Sequence, residues 1–241
     1  MSRTEPIAHA VVPTYNEADN IEPLVAALLD AVPAGLRITI VDDSSPDGTG
    51  ALADQLAEVH GDVDVLHRSA KVGLGPAYVA GFKHVLATDA DLIVQMDADF
   101  SHDPADVPRL IAAAEGADLV LGSRYVAGGG VGHWGRGREA ISRWGSAYAR
   151  RWLGVGVRDL TGGFKCFRRS ALEAVDLDAV SALGYAFQVE MTYRVIEAGL
   201  RVVEVPIIFS DRRVGESKMS RAIVAEAAWR VPLMRLRGVG K

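Results

Sequence analysis

With 241 residues and 49% hydrophobic content, the chain can bury a full core, as one domain or two intimately packed halves, and its composition is that of an ordinary globular protein. Its single cysteine, Cys166, excludes an internal disulfide and a cysteine-based metal cluster and points to a reducing compartment. The net charge of −5 hides an asymmetry: residues 124–241 carry 20 Lys and Arg against 11 Asp and Glu, or +9, whereas residues 1–123 carry 6 against 20, or −14. A basic second half suits anions such as phosphates or an anionic membrane surface, although solvated faces account for it equally well. No nucleic-acid partner is expected.

The start, MSRTEPIAHAVVP, lacks a long apolar stretch, and nowhere do about 18 uncharged apolar residues run together, so a soluble or peripheral protein is expected. His9 to Tyr15 reads as a strand, and Asn20 as the cap of a helix through Ala31. RITIVDD gives a second strand and SSPDGTG a turn. Leu52, Leu56 and Val59 then mark a second amphipathic helix, Val63 to His67 a third strand and GLGPAYVAGFKHVLAT a third helix. Leu92, Ile93 and Val94 form a buried central strand, Asp106 to Ala114 a helix and Asp118 to Ser123 another strand. This alternation predicts parallel βαβ units. It breaks at AGGGVGHWGRG, where a different half begins.

Beyond the break, Ile141, Trp144, Tyr148 and Trp152 recur at helical spacing on a segment that also carries Arg138, Arg143, Arg150 and Arg151. Such a stripe is more often core than lipid site, yet with the arginines it also fits an interfacial helix. GGFKCF reads as a strand, Gln188 to Ala198 as a helix, VVEVPIIF as a strand bent at its proline, and Ser220 to Val231 as a short helix stopped by Pro232. Arg235, Arg237 and Lys241 make the end basic.

The central strand runs into Asp97 and Asp99. Residues two apart on an extended chain point the same way, so these acids can share one hard cation, Mg²⁺ or Mn²⁺. Ligands of open α/β sheets bind outside the carboxyl ends of the strands, which is where both acids fall. A dinucleotide does badly as that ligand. PTYNEADN after the first strand has no glycine, Gly73 and Gly75 follow the third strand with Tyr78 in place of a third small residue, and a P-loop is absent.

Pro13-Thr14-Tyr15-Asn16-Glu17, Asp42-Asp43-Ser44-Ser45-Pro46-Asp47-Gly48-Thr49 and Asp97-Ala98-Asp99, each after a successive strand, together resemble the GT-A glycosyltransferases of family 2. Gly122-Ser123-Arg124-Tyr125, Asp159-Leu160-Thr161-Gly162-Gly163-Phe164, and Asp211-Arg212 with Gly215-Glu216-Ser217-Lys218 resemble the polyprenyl-phosphate (dolichyl-phosphate) mannose synthases within it. The resemblance covers residues 8 to 219. It implies an α/β GT-A fold, Rossmann-like, with a mostly parallel sheet and helices on both faces. The expected organisation is a domain over 1–219, with a nucleotide-binding half to about 123 and an acceptor half from 124, then a basic tail over 220–241.

The implied reaction is metal-dependent, inverting transfer of mannose from GDP-mannose to a polyprenyl phosphate. Asp97 and Asp99 would hold the metal. Some members have a glutamine where this chain has Ser101, a weaker third ligand that leaves water to complete the set. Asp42 and Asp43 would meet the base or ribose, and Pro13, Tyr15 and Glu17 would line the nucleotide pocket, although Glu17 also suits a helix entry. Arg124, Arg138, Arg212 and Lys218 match basic positions that would neutralise phosphate. Beside Asp97, His102 suits a supporting or turn role better than a ligand's. The implied location is the cytoplasmic face of the membrane, held peripherally or through a separate anchor protein. Alternatives are glucosyl transfer from UDP-glucose to the same lipid and a non-catalytic sugar-nucleotide-binding subunit of a membrane complex.

Overall fold

The computed structural model describes residues 6–32, 35–132, 135–182, 184–210, 229–236 and 238. In the first half, strands β1 (Ala8–Thr14), β2 (Leu36–Asp42), β3 (Val63–His67), β4 (Leu92–Gln95) and β5 (Leu119–Ser123) alternate with helices α1 (Ala18–Ala31), α2 (Thr49–Val59), α3 (Leu74–Leu86) and α4 (Val107–Ala113). The second half adds β6 (Gly130–Val131), α5 (Arg136–Leu153), β7 (Lys165–Arg168), α6 (Arg169–Glu173), α7 (Tyr185–Glu197), β8 (Val202–Pro206) and β9 (Ile208–Phe209).

The main sheet has the order β3-β2-β1-β4-β7-β5-β8, and β6 and β9 pair as a separate ribbon. Its strands run parallel except β7, which lies antiparallel between β4 and β5. The carboxyl ends of β1, β2, β4 and β5 therefore share one edge. Because β7 is reversed, its starting residue Lys165 faces Gln95 and Leu121, which brings Gly162, Gly163 and Phe164 to that same edge.

Alternation along the strands splits the core in two. Val11, Val41 and Ile93 join α3, α5 and α7 on one face, while Val12, Ile40 and Val94 join α1 and α4 on the other. Helix α3 lies close against the sheet at Gly81, where a Cβ would fall 2.4 Å from Val11 Cγ1 and 2.9 Å from Val41 Cγ2. The architecture is the mostly parallel α/β sheet that the sequence predicts.

Four local expectations are corrected. Asn20 is not a cap: α1 starts at Ala18 after Glu17, and the Asn20 side chain donates back to Glu17 Oε2 at 2.8 Å. Val59, read as part of a packing stripe, is exposed at the end of α2. The α5 stripe is core only at Tyr148, which packs half-buried against the cluster, because the helix is buried through Ser146, Ala149 and Leu153 and leaves Ile141, Trp144 and Trp152 outside. Residues 229–236 are helical, so Pro232 lies within that helix; burial of Val231 and Met234 holds it across the proline. The rest of the expected tail helix lies outside the described residues.

Candidate active site

Three loops at the carboxyl edge each contain a non-glycine residue in the left-handed region: Asn16 after β1 (φ 58°), Ser44 after β2 (φ 55°) and Phe100 after β4 (φ 59°). No other described non-glycine residue has a positive φ. Such conformations cost energy and persist where surrounding bonds impose them, which happens most often at functional sites.

The β4 loop carries the acid pair. Asp97 Oδ1 accepts from the buried Tyr78 hydroxyl at 2.8 Å, and the Asp97 backbone N–H donates to His102 Nδ1 at 3.0 Å. A backbone N–H can only donate, so His102 Nδ1 is an acceptor and neutral His102 carries its proton on Nε2. Burial also lowers the His102 pKa. Its ring stacks on Phe164 and meets Phe209 edge-on, which fits the expected supporting role. The Tyr78 pKa is raised well above its ordinary value by burial and then by the charges of Asp97 and Asp99, so it remains a donor.

Buried Asp99 accepts at Oδ1 from Ser101 N–H at 3.0 Å, while the buried Ser101 Oγ has no hydrogen-bond partner. An orphaned hydroxyl beside two carboxylates fits a hard, oxygen-preferring cation such as Mg²⁺ or Mn²⁺. Among the described residues no cluster of three His, Cys, Asp or Glu forms a metal cage, so a cation here would need further oxygens from substrate or water.

The β1 and β2 loops are laced together. Asp42 Oδ1 accepts from Ser45 Oγ at 2.5 Å and Thr14 Oγ1 at 3.3 Å, and Asp42 Oδ2 accepts from Ser45 N–H at 3.2 Å. The Asn16 N–H reaches Ser45 Oγ, the Ala18 N–H reaches Asp47, and the Glu17 N–H reaches Thr49 Oγ1. Asp43 pairs with Arg68; burial raises its pKa even against that cation. Half-buried Pro13 lies in β1, and the Tyr15 ring carries Lys71 Nζ 3.6 Å from its centroid.

In the second half the arginines part company. Buried Arg124 gives Nε to Asp159 Oδ2 at 2.7 Å, Nη2 to Asp159 Oδ1 at 2.6 Å and Nη2 to Thr161 Oγ1 at 2.9 Å. Burial alone would raise the Asp159 pKa, but the bonds and charge of Arg124 outweigh it and hold it below the usual carboxylate range. Glu204 of β8 accepts from Ser123 Oγ and from the N–H groups of Arg158 and Asp159, fixing this loop from below. Arg138 lies half-buried in the first turns of α5. Arg212 and Lys218 lie outside the described residues.

Motif reading missed the floor behind Asp97. Lys165 is fully buried, and its ammonium donates to Gln188 O at 2.8 Å and Gln188 Oε1 at 2.9 Å. Gln188 Oε1 also accepts from Gln95 Nε2, which in turn bonds Gly163 O. A Cβ on Gly163 would lie 3.3 Å from His102 Cε1, 3.4 Å from Gln188 Nε2 and 3.6 Å from Asp97 Oδ2, so this glycine sits where the network meets the acid. Burial lowers the Lys165 pKa to about 7. The only signal in the sequence was a lysine interrupting the apolar pattern of GGFKCF.

Residues 9–176 match the model of the glycosyl transferase family 2. The chain belongs to that family. This glycosyltransferase is 47% identical to a polyprenol monophosphomannose synthase of Mycolicibacterium smegmatis over 95% of its own length and 86% of that protein's. It is 49% identical to an undecaprenyl-phosphate mannosyltransferase of Micrococcus luteus, covering 90% of the chain and 89% of that protein. A crystal structure of glucosyl-3-phosphoglycerate synthase from Mycobacterium tuberculosis, solved with Mn²⁺, uridine diphosphate and glucosyl-3-phosphoglycerate, shares the fold. Its TM-score is 0.68 at 21% identity, over 97% of this chain and 80% of that one.

Proposed function

We propose that this family 2 glycosyltransferase transfers mannose from GDP-mannose to a polyprenyl phosphate, giving polyprenyl-phosphate mannose and GDP. The observation that carries the reading is the near-half identity, over nine-tenths of the chain or more, with two proteins named for mannosyl transfer to lipid phosphates. The acid-lined edge of the sheet supports it. A phosphate oxygen of the acceptor attacks the anomeric carbon opposite the leaving diphosphate, the carbon–oxygen bond to GDP breaks with its electrons passing to GDP, and the configuration inverts. A phosphate is already deprotonated near neutral pH, so positioning and charge neutralisation matter more than a general base.

Asp97 and Asp99, with Ser101, would hold Mg²⁺ or Mn²⁺, which when bound offsets the charge developing on the diphosphate. Asp42 and Asp43, with Pro13, Tyr15 and Glu17, line the nucleotide pocket. Arg138, Arg212 and Lys218 serve the phosphates; Arg124, engaged by Asp159, positions the loop of Thr161. The acceptor is carried by a membrane, and the enzyme works there peripherally, on the cytoplasmic face, directly or through an anchor protein; no helix among the described residues is long and apolar enough to cross a membrane. The test is an assay of purified protein with a short polyprenyl phosphate, against GDP-mannose and UDP-glucose in parallel. GDP release with formation of the mannolipid is expected. Preference for UDP-glucose, or no turnover with either donor, would overturn the reading.

A further inference from the structure

Helix α5 has two functional sides. Through one it packs on the core and binds the site loops: the Tyr125 hydroxyl donates to Ser142 Oγ at 2.7 Å, and Ser146 Oγ lies 3.0 Å from Thr161 Oγ1. Through the other it presents Ile141, Trp144 and Trp152, which are 55%, 65% and 48% exposed. The Trp144 and Tyr148 rings stack at 5.4 Å, and Tyr148 meets Trp152 at 6.4 Å, making a continuous ladder. Tyr148 is half-buried between them, but two tryptophans and an isoleucine held in solvent along three turns of helix are unusual unless something covers them.

The charges around the ladder say what that is. Arg143, Arg150 and Arg151 are exposed on the same helix, and Arg151 stands seven residues, about two turns, from Trp144 and so borders the ladder. The one acidic residue of α5, Glu139, is tied to Arg143 at 2.9 Å. Protein interfaces tend to exclude charge from their centres, whereas helices lying in a bilayer interface combine Trp on one face with cations along its border.

We propose that the Ile141, Trp144 and Trp152 face of α5, braced by Tyr148 stacked between the tryptophans, docks on an anionic bilayer surface, with the flanking arginines on lipid headgroups. This deepens the proposed function, since it rests on an acceptor carried by a bilayer. The side of α5 that grips Tyr125 and Thr161 then sets the acceptor half beside the headgroups, where a lipid phosphate enters without leaving the interface.

The full chain is sedimented with vesicles of phosphatidylcholine alone and of phosphatidylcholine mixed with phosphatidylglycerol, at low and high salt. It is expected to pellet with the mixed vesicles at low salt and to leave them at high salt. The double variant W144S/W152S should partition roughly tenfold or more weakly. Because both residues are exposed, it should keep its turnover with a short, soluble acceptor. R150Q/R151Q should lose about fivefold per charge on anionic vesicles only. A wild type that pellets with no vesicle at any salt, or binding that survives W144S/W152S, overturns the proposal and leaves the face to a membrane protein partner. Loss of turnover with the short acceptor in the wild type would instead refute the proposed reaction, and vesicle binding would stand apart from it.

Discussion

Asp42, Asp97 and Asp99, in the acidic half, accept hydrogen bonds from hydroxyls and backbone N–H groups, whereas Arg124, in the basic half, is locked by the carboxylate of Asp159. A neutral donor fixes a carboxylate without cancelling its charge. A buried ion pair cancels both charges and spends them on structure. At Arg124 the basic motif residue is thus paired within the fold, whereas the acids at the end of β4 are held by hydroxyl and N–H donors.

The contrast breaks first if the acids are dispensable. Asp97→Ala or Asp99→Ala should cut kcat by roughly a thousandfold with little change in thermal stability, since both side chains lie beyond the strand end. EDTA should abolish turnover, and Mg²⁺ or Mn²⁺ should restore it. Near-normal kinetics in either variant would remove the metal from the reaction.

Arg124→Ala tests the other arm. Leaving Asp159 buried and unpaired should cost about 3–5 kcal/mol of stability, measured by urea unfolding, with activity falling as the loop loosens. Unchanged stability with activity lost would return Arg124 to substrate binding. Arg138→Ala should show the opposite pattern: an intact fold and a ten- to hundredfold loss in kcat/KM, equivalent to about 1.5–3 kcal/mol, with partial rescue by Arg138→Lys. A fully active Arg138→Ala enzyme would confine that residue to the surface.

The smallest effect sharpens the picture of the floor. With its pKa lowered to about 7, Lys165 binds a proton in the unfolded chain and loses it in the folded one between about pH 7 and its ordinary value of 10.5. The burial cost is thus fully present below pH 7 and is relieved as pH rises. Wild-type stability relative to Lys165→Met should increase by about 2 kcal/mol between pH 7 and pH 9. A pH-independent difference would mean that the Gln188 acceptors hold the ammonium charged.

Periodicity and strand-end acids made most of the first half legible. Parallel strands covered on both faces read as apolar runs, and the three motif loops fall at their ends because the chain alternates. The reversal of β7 was not legible, because KCFR has the same pattern in either direction; only pairing with β4 and β5 sets it. The α5 stripe left two readings open, core and interfacial helix, because spacing says which residues share a face but not whether that face packs. Tyr78 spoke against a dinucleotide loop in the sequence and turns out to hold Asp97, a contact that requires α3 and β4 to be brought together. Lys165, Gln188 and Gln95 meet only through β4, β7 and α7, so no local spacing announces them.

Glu204 has a consequence for where the working unit ends. The stretch recognised as common to the family stops at residue 176, and it contains the loops of Asp42, Asp97, Asp99 and Asp159. Yet Gln188, which takes up the Lys165 ammonium, and Glu204, which secures Ser123, Arg158 and Asp159, both lie after it. A fragment trimmed to the shared stretch would keep the acids at the strand ends and lose the clamps on both sides of them. A transplant of this chemistry onto another scaffold has to carry β8 along with the motifs.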